Sequence, residues 1–172
     1  MTKRLVLLVA LAFFLCMSAS CSKGREEPKQ ADSSTAPLFT VKDIDGNKLD
    51  IADYRGKVVI LEFFATWCEP CRISAPDMQS VYERYKGRGL AVIAIAEDEG
   101  AEAAARVRSF VKEYRLSYHV AADGGQIMKQ YGVYSLPTTF IIDHDGKIIS
   151  KHLGISINYA KRLSAEVEPL LK

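Results

Sequence analysis

Three histidines and four cysteines include no second Cys-x-x-Cys and no His pair to complete the set of about four ligands that zinc needs, which argues against a zinc site. There is no basic stripe interleaved with aromatics. The 23 basic and 21 acidic residues nearly cancel, to a net charge of +2, so nothing points to nucleic acid. The apolar run Leu5 to Met17 falls short of the ~20 residues that a membrane span usually needs. No internal repeat and no second folded domain are visible. A chain of 172 residues suits one globular domain plus extras, large enough to bury a core without staples.

What is present begins with an address. Lys3-Arg4 precedes the apolar run, and Ser18-Ala19-Ser20 and Cys21 follow it, which is export-signal architecture over residues 1–20. Ser18-Ala19-Ser20-Cys21 resembles a bacterial lipoprotein box, in which the cysteine is lipidated and becomes the new N-terminus. The departure is Ser18, where that box usually carries Leu. We expect lipidation at Cys21, because an unpaired thiol in an oxidising compartment is a liability; ordinary cleavage after Ser20 is the alternative. Cys16 is removed by either route, leaving Cys68 and Cys71 as the one partnered pair. Residues 21–36 then read as a lipid-anchored tether of Lys, Glu, Ser, Gln and Pro, and 37–172 as the folded domain.

Within that domain, Leu38 to Lys42 and Lys48 to Ile51 flank the turn Asp45-Gly46-Asn47, predicting a hairpin. Lys57 to Ala65 is apolar on both faces, as in a central strand covered by helices. Its one charged interior residue, Glu62, alternates with Ile60 and Phe64 and so points into apolar surroundings. A helix entered through Cys71 carries Ile73, Met78, Val81, Tyr82 and Tyr85 mostly on one side, with a bend expected at Pro76 and a stop at Gly87 and Gly89. Leu90 to Ala96 is a second buried strand, parallel to the first by right-handed crossover. A helix over 101–115, a short strand over 118–121 and a short helix over 126–131 follow. Pro137 opens a strand that turns back at Asp143 to Gly146 into 147–153, and a closing helix from about Asn158 turns Ala160, Leu163, Val167 and Leu170 inward.

Everything in this scaffold converges on Trp67-Cys68-Glu69-Pro70-Cys71, a strand-to-helix corner. Cys68 falls where unpaired backbone N–H groups and the positive end of the helix dipole favour a thiolate. Cys71 lies one turn on, close enough for a disulfide. An exposed thiolate there can attack a disulfide, hold the mixed disulfide, and be displaced by its partner, with no cofactor. A purely structural bridge over so short a loop would restrict the unfolded chain little.

From about Pro37 onward the chain resembles the thioredoxin-fold thiol-disulfide oxidoreductases of the TlpA/ResA type, which are extracytoplasmic and tethered to bacterial membranes. The matching residues are the Trp-Cys-x-x-Cys corner, Pro76, Leu136-Pro137-Thr138 and the Asp-His-Asp-Gly turn at 143–146. The resemblance implies an α/β fold with a central mixed sheet, helices on both faces and an added N-terminal β-hairpin. It also implies a cis Pro137 beside the cysteines, a bond type for which cis is cheap and which can present neighbouring backbone to a substrate strand. Cys68 and Cys71 would be the catalytic dithiol. Trp67, Glu69, Pro70, Leu136, Pro137 and Thr138 would meet the substrate. Glu62, six residues before Cys68, stands where thioredoxins usually carry a buried acid, whose raised pKa would let it take the Cys71 proton. Glu69-Pro70 is the same as in ResA-like proteins, but their glutamate three residues after the second cysteine is Ser74 here, which weakens any direct transfer of their acid–base details.

Glu69 beside Cys68 opposes the helix dipole, and Pro70 withholds a donor, so the expected potential lies nearer thioredoxin's, about −270 mV, than the strong oxidant's, about −120 mV. That favours a reductant of extracytoplasmic protein disulfides, expected to act as a monomer and to be resupplied by a membrane thiol donor; the resemblance implies a donor of the CcdA/DsbD type and clients such as apocytochromes c. A dithiol oxidase or isomerase is the alternative; it usually carries a larger inserted helical domain, for which there is no room. A peroxidase of the related fold would need a Pro-x-x-x-Thr-x-x-Cys setting, which is absent. A copper module would want a histidine in the site, and His119, His144 and His152 lie in no such motif, each reading as a surface or strand residue.

Overall fold

A strand apolar on both faces has to be covered on both sides. Val58–Phe64 is buried at every position in the computed structural model of the chain, which describes residues 35–123 and 125–172. It is β3, after the hairpin strands Thr40–Lys42 (β1) and Lys48–Asp50 (β2). Leu90–Ala96 (β4) runs parallel to β3, and His119–Ala122 (β5) parallel to β4. Thr138–Ile142 (β6) and Ile148–Leu153 (β7) close the sheet antiparallel on the other side, in the order β5-β4-β3-β6-β7. This is the mixed sheet with an added hairpin that the resemblance implied.

Among the described residues four α-helices accompany it: Glu69–Tyr85 (α1), Ala103–Tyr114 (α2), Gln126–Gln130 (α3) and Tyr159–Val167 (α4). On one face Val58, Ile60, Phe64, Val92, Ala94 and Ile141 pack against Met78, Val107, Phe110, Leu163 and Val167 of α1, α2 and α4. On the other, Leu61, Phe63, Ile93, Ile95 and Phe140 pack against the hairpin, the turn after it and α3, through Phe39, Leu49, Ile51, Ile127 and Tyr131. Strand alternation alone sorts the two sets. The hairpin also covers the β5 edge: Asp43 bridges Ala121, Ile44 N–H donates to Val120 O at 2.9 Å, and Arg108 donates to Ile44 O. A sheet edge left open would invite pairing with another chain.

Some expectations shift. Packing reaches back to Thr35, which bridges Lys147, and to Ala36, which is buried, two residues ahead of the expected boundary. The export signal, Cys21 and the rest of the tether lie outside the described residues. α1 starts at Glu69 and runs as one helix across Pro76. Ile73 is not on the buried side: it is 59% exposed, because it sits about 200° around the helix from Cys71, whose side continues through Ser74, Ala75, Met78, Val81 and Tyr85. His152 does lie in a strand, but it is buried rather than surface-facing, with Nε2 2.9 Å from Glu166 and Nδ1 2.7 Å from Arg162. No helix among the described residues is long and apolar enough to cross a membrane.

Candidate active site

β3 delivers the chain to the sheet end where α1 begins. Cys68 is the residue at the helix N-cap, with extended backbone (φ −81°, ψ 110°), and Pro70 falls inside the first turn, where its missing N–H removes no helix bond. Among the described residues no side chain caps this N-terminus, so its free N–H groups and dipole are directed to the cysteine end. Cys68 and Cys71 are joined as a disulfide with Cα atoms 5.3 Å apart. The pair is better covered than an exposed nucleophile suggests: Cys68 is 6% accessible and Cys71 2%. Of the two, Cys68 is the more accessible.

Glu62 lies on the sheet face beneath α1, fully enclosed, as its alternation with Ile60 and Phe64 predicts. Burial pushes its carboxyl from an ordinary 4.5 to about 7, against a smaller opposing pull from Ser74. The Ser74 hydroxyl is 3.5 Å from Glu62 Oε1 and 3.1 Å from the Cys71 carbonyl oxygen. A hydroxyl has one proton to give. When Glu62 is protonated it can donate to Ser74 Oγ while Ser74 donates to Cys71 O, and every partner is served; ionised Glu62 competes with that carbonyl for the same proton. Ser74 thus links the acid to the backbone of the second cysteine.

Two further groups near Glu62 were not foreseen. Thr139 is its direct partner across β3 and β6, and the Thr139 hydroxyl is 2.7 Å from Tyr159 OH at the start of α4. Burial raises the Tyr159 phenol well above its ordinary range, with the Glu62 charge adding to the rise, and the same two causes act on Tyr118. Thr139 had a signal in its place, one residue past the Leu136-Pro137-Thr138 segment. Tyr159 had none, since a tyrosine opening an amphipathic helix reads as core.

The rim is assembled by register. Phe63 pairs with Thr138, which sets Pro137 beside the end of β3. The Leu136–Pro137 bond is cis, Gly154 N–H donates to Pro137 O at 2.7 Å, and Thr138 Oγ1 donates to Ser135 O at 2.7 Å. Trp67, Glu69 and Pro70 are exposed on the cysteine side, and Leu136 is half-buried. Pro137 and Thr138 are themselves buried, so of the Leu136-Pro137-Thr138 segment a substrate would meet chiefly Leu136 and backbone. Tyr134, Leu153 and Ile157 add exposed apolar surface at the same sheet end, a contribution that sequence reading missed. Among the described residues no group of three or more His, Cys, Asp or Glu is placed to hold a metal ion.

The chain is similar to known proteins in sequence and in fold. The family model for AhpC/TSA matches residues 33–151. Thiol-disulfide oxidoreductase ResA of Bacillus thuringiensis subsp. konkukian is 45% identical over 130 residues, 75% of this chain and 73% of the relative. ResA of Bacillus subtilis is 34% identical over 151 residues, 87% of this chain and 80% of the relative. A Chlorobium tepidum crystal structure described as a thiol:disulfide interchange protein DsbE superposes with a TM-score of 0.73 at 32% identity, covering 80% of this chain and 95% of that one.

Proposed function

Because the chain belongs to the AhpC/TSA family, and within it to the ResA-like thioredoxin-fold thiol-disulfide oxidoreductases, we propose that its Cys68–Cys71 pair works outside the cytoplasm as a reductant of protein disulfides. In its dithiol form, the Cys68 thiolate attacks one sulfur of a substrate disulfide and the other sulfur leaves as a thiolate. Cys71 then gives up its proton and attacks Cys68, releasing the second substrate thiol and leaving the Cys68–Cys71 disulfide. The substrate gains two electrons and two protons, and the dithiol loses them.

Glu62 is the acceptor for the Cys71 proton, since a carboxyl with a pKa of about 7 exchanges protons readily at neutral pH. Trp67, Glu69, Pro70, Leu136 and the backbone of Pro137 and Thr138 present the surface on which an extended substrate segment lies. Export by residues 1–20, lipidation at Cys21 and a flexible tether would hold this chemistry at the outer side of a bacterial membrane. There a thiol donor of the CcdA/DsbD type could resupply electrons, and apocytochrome c is the client suggested by resemblance.

The observation that carries this reading is the disulfide at an uncapped helix N-terminus above a buried, proton-binding acid. Two measurements test it. Reduced protein should open the disulfides of insulin, with Cys68→Ser inactive and Cys71→Ser trapped as a mixed disulfide. The equilibrium potential should fall near −270 mV rather than about −120 mV; the latter value would reassign the protein as an oxidant. Intact mass of the exported N-terminus, with and without globomycin, separates lipidated Cys21 from plain cleavage.

A further inference from the structure

The link between β3 and Cys68 is Ala65, Thr66 and Trp67, and Thr66 is held there at all three of its polar groups. Its N–H donates to Asp98 Oδ2 at 2.9 Å and its hydroxyl to Asp98 Oδ1 at 2.5 Å. Its carbonyl accepts from Arg72 at 3.4 Å. The Asp98 side chain is 0% exposed, and Arg106 Nε lies 3.4 Å away. Arg106 in turn donates to Glu99 O at 2.7 Å, while Arg72 pairs with Glu113 at 2.7 Å and lies over the Tyr114 ring. The loop after β4 and the helix α2 therefore grip the corner from both sides, two residues ahead of the reacting sulfur.

Burying a carboxylate is expensive unless its lone pairs are filled, and here they are filled chiefly by one residue of the active-site corner. We propose that Asp98 is a positioning residue that, through Thr66, fixes the backbone entering Cys68 and so sets how readily the Cys68–Cys71 disulfide closes. The disulfide constrains the corner covalently, whereas in the dithiol form the clamp does most of that work. Loosening it leaves the disulfide geometry much as before and widens the range of positions open to the Cys68 thiol. The effective concentration of one thiol at the other falls, and the pair becomes easier to reduce.

The inference rests on the pair cycling reversibly, and it is read by equilibrium with glutathione rather than by turnover, so failed insulin reduction and a failed clamp are distinguishable. Relative to wild type, Thr66→Val, which keeps shape and N–H but loses the hydroxyl donor, should move the thiol–disulfide equilibrium toward the dithiol by about threefold. Thr66→Ser should restore the wild-type ratio. Asp98→Ala should move it by about tenfold, equal to about 30 mV for a two-electron couple. Thermal unfolding of each variant, measured in parallel, reports any loss of stability. Should Asp98→Ala not fold, the Thr66 pair decides. A Thr66→Val protein with lowered melting temperature and an unchanged glutathione equilibrium would make the clamp a plain brace, and a shift toward the disulfide would overturn the proposal equally.

Discussion

The two faces of the central sheet are built from the same strands and differ in what they admit. The face covered by the hairpin and α3 is nearly all apolar, with Phe39, Phe63, Tyr131 and Phe140 in mutual edge or tilted contact and ring centroids 5.4 to 6.1 Å apart. The face covered by α1, α2 and α4 carries a row of polar side chains, Glu62, Thr139 and His152, in register across three adjacent strands. Ser74, Tyr159 and Glu166 meet that row from the helices. One face works as a foundation, gaining stability from close-packed rings. The other accepts the cost of buried polar groups, and the cysteines sit on it.

If that division is correct, the largest effect on stability comes from the foundation and leaves the chemistry alone. Phe63→Ala, at a position 1% exposed, should lower unfolding free energy by about 3 to 5 kcal/mol while the glutathione equilibrium of the cysteine pair stays within about twofold. Denaturant titration and the redox equilibrium on one preparation check both halves. A shifted potential would break the comparison.

The next effect belongs to the polar row and depends on pH. Folding raises the Glu62 pKa to about 7, so the folded state binds that proton more tightly than the unfolded chain. The associated stability is complete below the unfolded value near 4.5 and is lost as pH rises through about 7, a total of roughly 3 kcal/mol for this enclosed group. Glu62→Gln should abolish that slope and be the more stable protein at pH 8. It should also slow resolution of the mixed disulfide at neutral pH and leave the first attack by Cys68 largely intact. Parallel slopes in both proteins would place the acid in contact with water and remove the contrast between faces.

The smallest expected effect sharpens the division. Tyr159→Phe removes the hydroxyl 2.7 Å from Thr139 and should cost about 1 kcal/mol, well below Phe63→Ala. Because Tyr159 also faces Glu62, the midpoint of the pH-dependent stability should move with it. A loss as large as that of Phe63→Ala would mean that the polar row is itself structural.

Much of this was legible along the chain. The central strand was readable because β3 is apolar at every position but one, and the exception, Glu62, was assigned to the correct face by period two alone. The hairpins announced themselves by Asp-Gly turns, and the corner by two cysteines and a tryptophan. Ile73 misled because apolar character was counted without its angle around α1. His152 and Asp98 carried no local sign. Each is buried by partners remote in sequence, Glu166 and Arg162 for one and Thr66 for the other, and an acid in the run Glu97-Asp98-Glu99 reads as solvated surface.

Periodicity and spacing by themselves determined the layers, the face on which an acid would be buried and the pair of sulfurs, because each follows from backbone repeat over a few neighbouring residues. Only the tertiary structure decided which hydroxyls surround that acid, which carboxylate holds the corner before Cys68 and how little of the disulfide is open to solvent. Those depend on strand register and helix docking, where residues tens of positions apart are brought within hydrogen-bond reach and the displacement of water sets their charge.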